Sequence, residues 1–281
     1  MKAILLNLTA WSVLPIMDGM AKYLSADMHF LQIVWGRYFF MILISLPLTY
    51  FFFKSYLVRP KNIYIQLIRS LFLFLSTVLF FYAISVISMA KALALAFVSP
   101  LIVTILSSFF LKERVGFHRW AAVVVGFFGA MIIIQPGFIE INLATIAGLG
   151  TGISYAFYII STRKLSSIDN PLLTLIFTGL FGAIIISFIV PFFWMNPNSN
   201  QWLLLIGLAS VGTFGHFCLI LSLNYAEASK LSPLAYFEIV NNILIGYYFF
   251  GDLPNKWLWL GLFFIISSGI YISIRENKKI N

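Results

Sequence analysis

The stretch Lys230–Lys256, KLSPLAYFEIVNNILIGYYFFGDLPNK, decides the fold. It is long enough to cross a bilayer as one helix, because a hydrocarbon core of ~30 Å takes about 20 residues. Yet Glu238, Asn241 and Asn242 fall near its middle. Their i, i+3, i+4 spacing sets them on one helical face. An ionised carboxylate at that depth is costly and marks a functional site by default. The same stretch carries Ser232-Pro233, where a missing N–H frees a backbone carbonyl and permits a kink.

The surrounding chain is equally apolar. Of 281 residues 61% are hydrophobic and only 10% charged, whereas soluble domains carry about 25% charged residues. Segments of membrane-spanning length fall at 3–24, 30–53, 64–86, 90–111, 118–135, 142–162, 172–194, 202–222, 230–250 and 256–274. The expected fold is therefore an all-α integral membrane protein of ten transmembrane helices, with the first one retained and not cleaved as a leader. Short linkers leave no room for a soluble domain. The single cysteine, Cys218, excludes an internal disulfide and a Cys-rich metal site.

The net charge of +9 reflects loop placement and not a nucleic-acid partner. With the N-terminus inside, every Lys and Arg lies on the cytoplasmic side except Lys22, Lys91, Lys256 and the intramembrane Arg37. That asymmetry puts both termini in the cytoplasm of a multi-pass inner (plasma) membrane protein. Trp35, Trp194, Trp202, Trp257 and Trp259 cluster near span ends, as an interfacial aromatic belt does.

An internal repeat is visible. Laying Lys91 on Lys230 also lays Ser99-Pro100 on Glu238-Ile239, Glu113 on Asp252 and Trp120 on Trp259. Residues 1–138 and 139–281 are then two five-helix repeats, and an odd span count inverts the second copy in the membrane. Inverted repeats with broken helices in corresponding positions are the plan of secondary transporters, whose substrate site lies near the midplane.

WGRYFF in span two, IRSLFLFLSTVLFFYAIS in span three, AKALALAFVSPLIVTILSSFFLKERVGFHRW from span four onward and AYFEIVNNILIGYYFFGDLP in span nine resemble the EamA-type family of the drug/metabolite transporter superfamily. The resemblance covers essentially the whole chain. It implies transport of a small metabolite across the bilayer, and members of the family carry amino-acid-like, S-adenosylmethionine-like and riboflavin-like cargoes.

The residues supply candidate roles. Glu238, Asn241, Asn242, Tyr236, Trp11 and Phe97 are the expected substrate contacts, the aromatics through stacking. Glu238 and His216, on consecutive spans, are the expected proton-coupling pair if they meet. Asp18 and Arg37, at similar depth in spans one and two, are expected to form an ion pair that either locks the helices or gates the outer side. Ser99, Pro100 and Pro233 are the expected hinges. Arg69 reads as a side chain that snorkels toward the interface, with a vestibule-lining role as the alternative. Gly148-x-x-x-Gly152 and Gly126-x-x-Gly129 permit close helix contact.

The expected function is secondary-active metabolite transport by alternating access, as a monomer or homodimer, with proton or exchange coupling. Export on the same fold is the first alternative; a structural membrane protein and an intramembrane enzyme are the others. No P-loop, His-Glu-x-x-His or EF-hand spacing occurs, so no cofactor, metal or catalytic residue is expected.

Overall fold

The computed structural model describes residues 1–52, 60–134, 142–251 and 256–278, and all regular structure in them is helical. The helices are α1 (Lys2–Leu24), α2 (Phe30–Phe52), α3 (Ile63–Val86), α4 (Met89–Ala96), α5 (Ser99–Phe110), α6 (Phe117–Ile134) and α7 (Leu143–Leu165). They continue with α8 (Pro171–Ile189), α9 (Ser199–Tyr225), α10 (Ala228–Leu231), α11 (Glu238–Phe250) and α12 (Lys256–Lys278). Two 3-10 segments, Val190–Phe193 and Ser232–Phe237, complete the set. Lys54, Arg59, Asp252, Lys279 and the boundary at 138/139 lie outside the described residues.

Among the described residues six helices are each long and apolar enough to cross a membrane: α1, α2, α3, α7, α8 with its 3-10 tail, and α9. The fourth and ninth expected spans are not single helices. The fourth breaks at Phe97-Val98, where Pro100 enters the first turn of α5. Proline fits there because first-turn N–H groups have no intrahelical acceptor. The ninth breaks into α10, the Ser232–Phe237 3-10 segment with Pro233 at its start, and α11. Glu238 therefore opens a helix at the break and does not sit within a continuous one.

The breaks are related. The numbering shift that carries Lys91 to Lys230 also carries the helix starts Met89, Ser99 and Phe117 to the helix starts Ala228, Glu238 and Lys256.

Packing brings the breaks to the centre. α1 lies against both α9 and α11, α3 against α7 and α8, and α6 against α12. α7 seats against α4 and α5 through Gly148 and Gly152. A Cβ at Gly152 would stand 2.5 Å from the Ala96 carbonyl oxygen and 2.6 Å from Val98 Cγ1, so only glycine lets α7 approach the break this closely. The small-residue spacing in the sequence thus marks the seat of the broken fourth span.

Polar contacts fasten the helix ends. Gln32 on α2 donates to the Met195 carbonyl at 2.7 Å and accepts from the Met195 N–H at 3.0 Å. Trp35, Trp194 and Trp202 gather beside it, with ring centroids 5.1–6.3 Å apart. Lys22 donates to the Ile84 carbonyl at 2.5 Å, joining the ends of α1 and α3. Elsewhere the Glu113 carboxylate accepts from the Ala228 and Ser229 N–H groups, both at 3.0 Å, and from the Ser229 hydroxyl at 2.7 Å. Arg163 stands 3.5 Å from the same carboxylate, and Arg119 pairs with Glu227 at 2.5 Å. The turn after α5 is thereby clamped to the first residues of α10.

Candidate functional site

A cavity of about 890 Å³, its open mouth included, lies where the two breaks meet. Phe97, Ser99 and Pro100 line it from the fourth span; Ser232, Ala235 and Glu238 line it from the ninth. The Thr104 and Ser232 hydroxyls join the two spans at 2.9 Å. α1, α2, α3, α7 and α9 complete the wall, whereas α8, the seventh span, contributes nothing to it. The wall is mostly apolar, with a small set of polar and ionisable groups, which is the usual make-up of a small-molecule site.

Four of those groups are carboxyl, guanidinium or imidazole side chains: Asp18, Arg37, His216 and Glu238. All are buried, Asp18 and Glu238 being only 3% and 8% exposed. Their partners differ from the sequence expectation. Arg37 and Asp18 form no ion pair within 4 Å. Arg37 instead donates to Thr77 Oγ1 at 2.7 Å and to His216 Nε2 at 2.6 Å. Glu238 and His216 do not pair either, because α1 packs against both α9 and α11. Among the described residues neither the Asp18 nor the Glu238 carboxyl has a hydrogen-bond or ion-pair partner, so both present free oxygens to the cavity.

The contact with Arg37 fixes the state of His216. A guanidinium only donates, so Nε2 must be the acceptor and the single ring proton sits on Nδ1. Nδ1 faces Tyr158 Oη at 3.3 Å, and Arg69 reaches that same oxygen at 3.4 Å. A neutral imidazole thus stands between two buried guanidinium groups. Arg69 does not snorkel. It is fully buried and donates to Thr162 Oγ1 at 2.8 Å, the Thr174 carbonyl at 3.1 Å and Thr178 Oγ1 at 2.5 Å, which ties α3 to α7 and α8.

The remaining expected residues divide. Trp11 and Phe97 line the cavity. Trp11 is oriented by its Nε1–H, which donates to Asn7 Oδ1 at 2.8 Å, and Asn7 in turn donates to Ser222 Oγ at 3.1 Å. Tyr236 does not line the cavity. It lies behind Phe97, ring centroids 5.4 Å apart, with its hydroxyl on the Val123 carbonyl at 3.3 Å. Gly126 makes room for the Tyr236 ring. Asn241 and Asn242 are also absent from the wall. Asn241 donates to the Trp11 carbonyl at 3.4 Å, and Asn242 donates back to the Glu238 carbonyl at 3.2 Å. Pro233 shapes the break beside Ser232 without lining the cavity.

Sequence reading missed Asn7, Thr77, Thr151 and Tyr155, which all line the cavity. Asn7, Trp11, Leu14 and Asp18 follow one another at helical spacing, so the stripe on α1 was there to be found. Thr77 carries no such signal, because Ser and Thr hydroxyls on apolar helices most often bond to their own backbone, as Thr77 does to the Leu73 carbonyl at 2.8 Å. No group of three or more His, Cys, Asp or Glu stands close enough to hold a metal among the described residues.

Comparison with known proteins accords with this geometry. The profile of the EamA-like transporter family matches residues 1–135 and again 142–274. The chain is 26% identical to an S-adenosylmethionine uptake transporter of Rickettsia prowazekii, over 98% of this chain and 95% of that one. It is 30% identical to a riboflavin transporter of Vibrio cholerae, covering 97% and 93% respectively. The pseudopaline exporter CntI of Pseudomonas aeruginosa is 25% identical, with 96% and 95% covered. A solved crystal structure superposes with a TM-score of 0.80 at 17% identity over 99% of both chains, a likeness of fold.

Proposed function

The chain belongs to the EamA-like transporter family, and from that premise we propose that it is a secondary-active carrier whose substrate sits in the cavity between the two helix breaks. The observation that carries this reading is the pair of unpartnered carboxyls, Asp18 and Glu238, beside Trp11, Phe97 and Tyr155. Unpaired acids in a buried cavity call for a positive charge, and aromatic faces attract one as well. A cationic or zwitterionic metabolite is therefore the favoured cargo, with Arg37 available to its acidic end. The S-adenosylmethionine-like class fits this better than the uncharged riboflavin-like class.

The two halves, 1–138 and 139–281, act as inverted repeats in this reading. They rock about Ser99-Pro100 and Ser232-Pro233, and both termini face the cytoplasm of the plasma membrane. The chain carries out no reaction of its own. Relatives named for uptake and for export both match, so the decisive assay is one that ignores direction. Counterflow of labelled S-adenosylmethionine, riboflavin and amino acids into proteoliposomes is expected to show the cationic compound exchanging fastest. Glu238→Gln is expected to remove that exchange while the protein stays folded. Counterflow of none of the three, or unchanged exchange in Glu238→Gln, refutes the reading.

A further inference from the structure

The repeat sets a matched pair of contacts at the two ends of the bundle, and their meaning rests on the chain being a carrier with its substrate in the central cavity. The shift that carries Lys2 and Leu24, the ends of α1, onto Leu143 and Leu165, the ends of α7, carries Lys22 onto Arg163. The shift that carries Lys91 onto Lys230 carries Ile84 onto Leu223. Lys22 Nζ donates to the Ile84 carbonyl at 2.5 Å, and Arg163 Nη1 donates to the Leu223 carbonyl at 2.6 Å. The neighbouring turn repeats as well. The Ser25 hydroxyl donates to the Lys22 carbonyl and the Ser166 hydroxyl to the Arg163 carbonyl, both at 2.7 Å. Each basic side chain thus crosses from the first span of its half to the last turn of the third.

The two contacts stand at opposite ends of the bundle. Lys2, at the start of α1, donates to Tyr225 Oη at 3.1 Å, so the end of α9 that Arg163 holds lies beside the start of α1. Lys22 lies near the other end of that helix, ~30 Å away at 1.5 Å per residue.

Helix packing shows what the contacts join. α1 lies along α9 and touches α11, while α3 lies along α7, which seats α4 and α5. α1 meets α3, and α7 meets α9, far less closely. The cavity lies between these two groups: Leu14 and Leu219 line it from one, Phe80 and Tyr155 from the other. α2 bridges the groups along one flank by packing on both α9 and α3. Lys22 therefore ties the groups together at one face, and Arg163 ties them at the other.

Both ties are releasable. The last carbonyls of a helix have no intrahelical donor, and a cation is favoured beside them. Lys22 is half-buried and the Arg163 side chain is 26% exposed, so each can trade its carbonyl for water. Neither is sealed in as Arg37 and Arg69 are. At the Arg163 face the Glu113 carboxylate adds a second hold, 3.5 Å from Arg163 and accepting from the Ala228 and Ser229 N–H groups.

We propose that Lys22 and Arg163 are the two latches of the transport cycle. Release of Lys22 parts the groups at its face and opens the cavity there while Arg163 holds the other face. Release of Arg163 does the opposite. Inverted repeats supply one device to both faces, which is why a lysine at the end of α1 and an arginine at the end of α7 make the same contact.

The test uses the full chain in sealed vesicles, with Cys218→Ser and Ser99→Cys supplying a single thiol in the cavity wall. A membrane-impermeant thiol reagent is applied to one face at a time, and a tag on Met1, at the Arg163 end, tells the faces apart. Lys22→Gln, shorter and uncharged, is expected to speed labelling several-fold from the Lys22 face and to slow it from the other, because the two open states compete. Arg163→Gln is expected to give the mirror result. Lys22→Arg and Arg163→Lys keep a donor and are expected to label as the background does. Lys22→Ala and Arg163→Ala answer the same question should a glutamine variant fail to fold. Equal gains from both faces, a gain from the wrong face or no change overturns the latches, since a merely loosened bundle has no sidedness. Sided labelling without counterflow of any compound leaves the latches standing and sinks the substrate reading. Counterflow with unsided labelling does the reverse.

Discussion

Arg69 offers a sharp test of how this helix bundle is held together. Its guanidinium is fully buried among α3, α7 and α8 with no acidic partner among the described residues. Arg69→Met removes the donors to Thr162, Thr174, Thr178 and Tyr158. Bonds between membrane helices contribute ~0.6 kcal/mol each on average, so these four amount to about 2 kcal/mol. The guanidinium also stands 4.9 Å from the centre of the Tyr158 ring, a contact that contributes about 2 kcal/mol when desolvated. Against this, a buried arginine in a membrane helix costs about 2.5–3.5 kcal/mol, a cost that methionine lacks. Thr162 and Thr178 keep their own donations, to the Tyr158 carbonyl at 2.7 Å and the Thr174 carbonyl at 2.9 Å, so no donor is orphaned. The terms nearly cancel, and Arg69→Met is expected to lie within about 1 kcal/mol of the parent. Arg69→Lys keeps the charge and loses the planar fork, so it is expected to be the less stable of the two. Thermal unfolding in detergent, followed by intrinsic fluorescence, gives the order directly. A methionine variant markedly less stable than the lysine one refutes the reasoning, because the charge itself would then be stabilising.

Three further substitutions probe the breaks. Gly152→Ala sets a methyl group against the Ala96 carbonyl, backbone that cannot swing aside, and against the Val98 side chain. Overpacking of this kind costs about 1–3 kcal/mol, so lower thermal stability and slower counterflow are expected, and an unchanged variant would contradict the close seating of α7. Gly126→Ala presses on the Tyr236 ring, which backs Phe97. It is expected to weaken substrate affinity more than it lowers folded yield, which a binding isotherm measures. Glu113→Ala leaves the Ala228 and Ser229 N–H groups without their carboxylate. Loss of such a cap costs about 1 kcal/mol, and faster amide exchange in residues 228–231 is the expected sign.

Much of the architecture was legible because lipid makes hydrophobic length and proline placement decisive. Ser99-Pro100 and Ser232-Pro233 both mark observed breaks, and the shift read from Lys91 and Lys230 carries one set of helix starts onto the other. What the sequence could not show was how far a break extends. Pro233 disrupts six residues as 3-10 helix, and this moves Glu238 from the middle of an expected span to the head of α11. The helical-face argument for Glu238, Asn241 and Asn242 assumed a continuous helix opening on one cavity. At the observed break only Glu238 reaches the cavity, while Asn241 is turned to α1.

The paired residues were the least legible part, and the reason is geometric. Similar depth in consecutive spans suggested Asp18 with Arg37 and Glu238 with His216. Depth is set by sequence position, but azimuth is set by which helices pack together, and consecutive spans need not be neighbours. α1 packs against both α9 and α11, so it carries Asp18 to the cavity that Glu238 also lines and leaves Arg37 to His216. Both swaps have one consequence. The two acids line the cavity without partners among the described residues, and His216 is committed to an arginine. Among the described residues Arg37 is the one cation on the cavity wall against Asp18 and Glu238, so a substrate that enters is best met if it supplies a second positive charge.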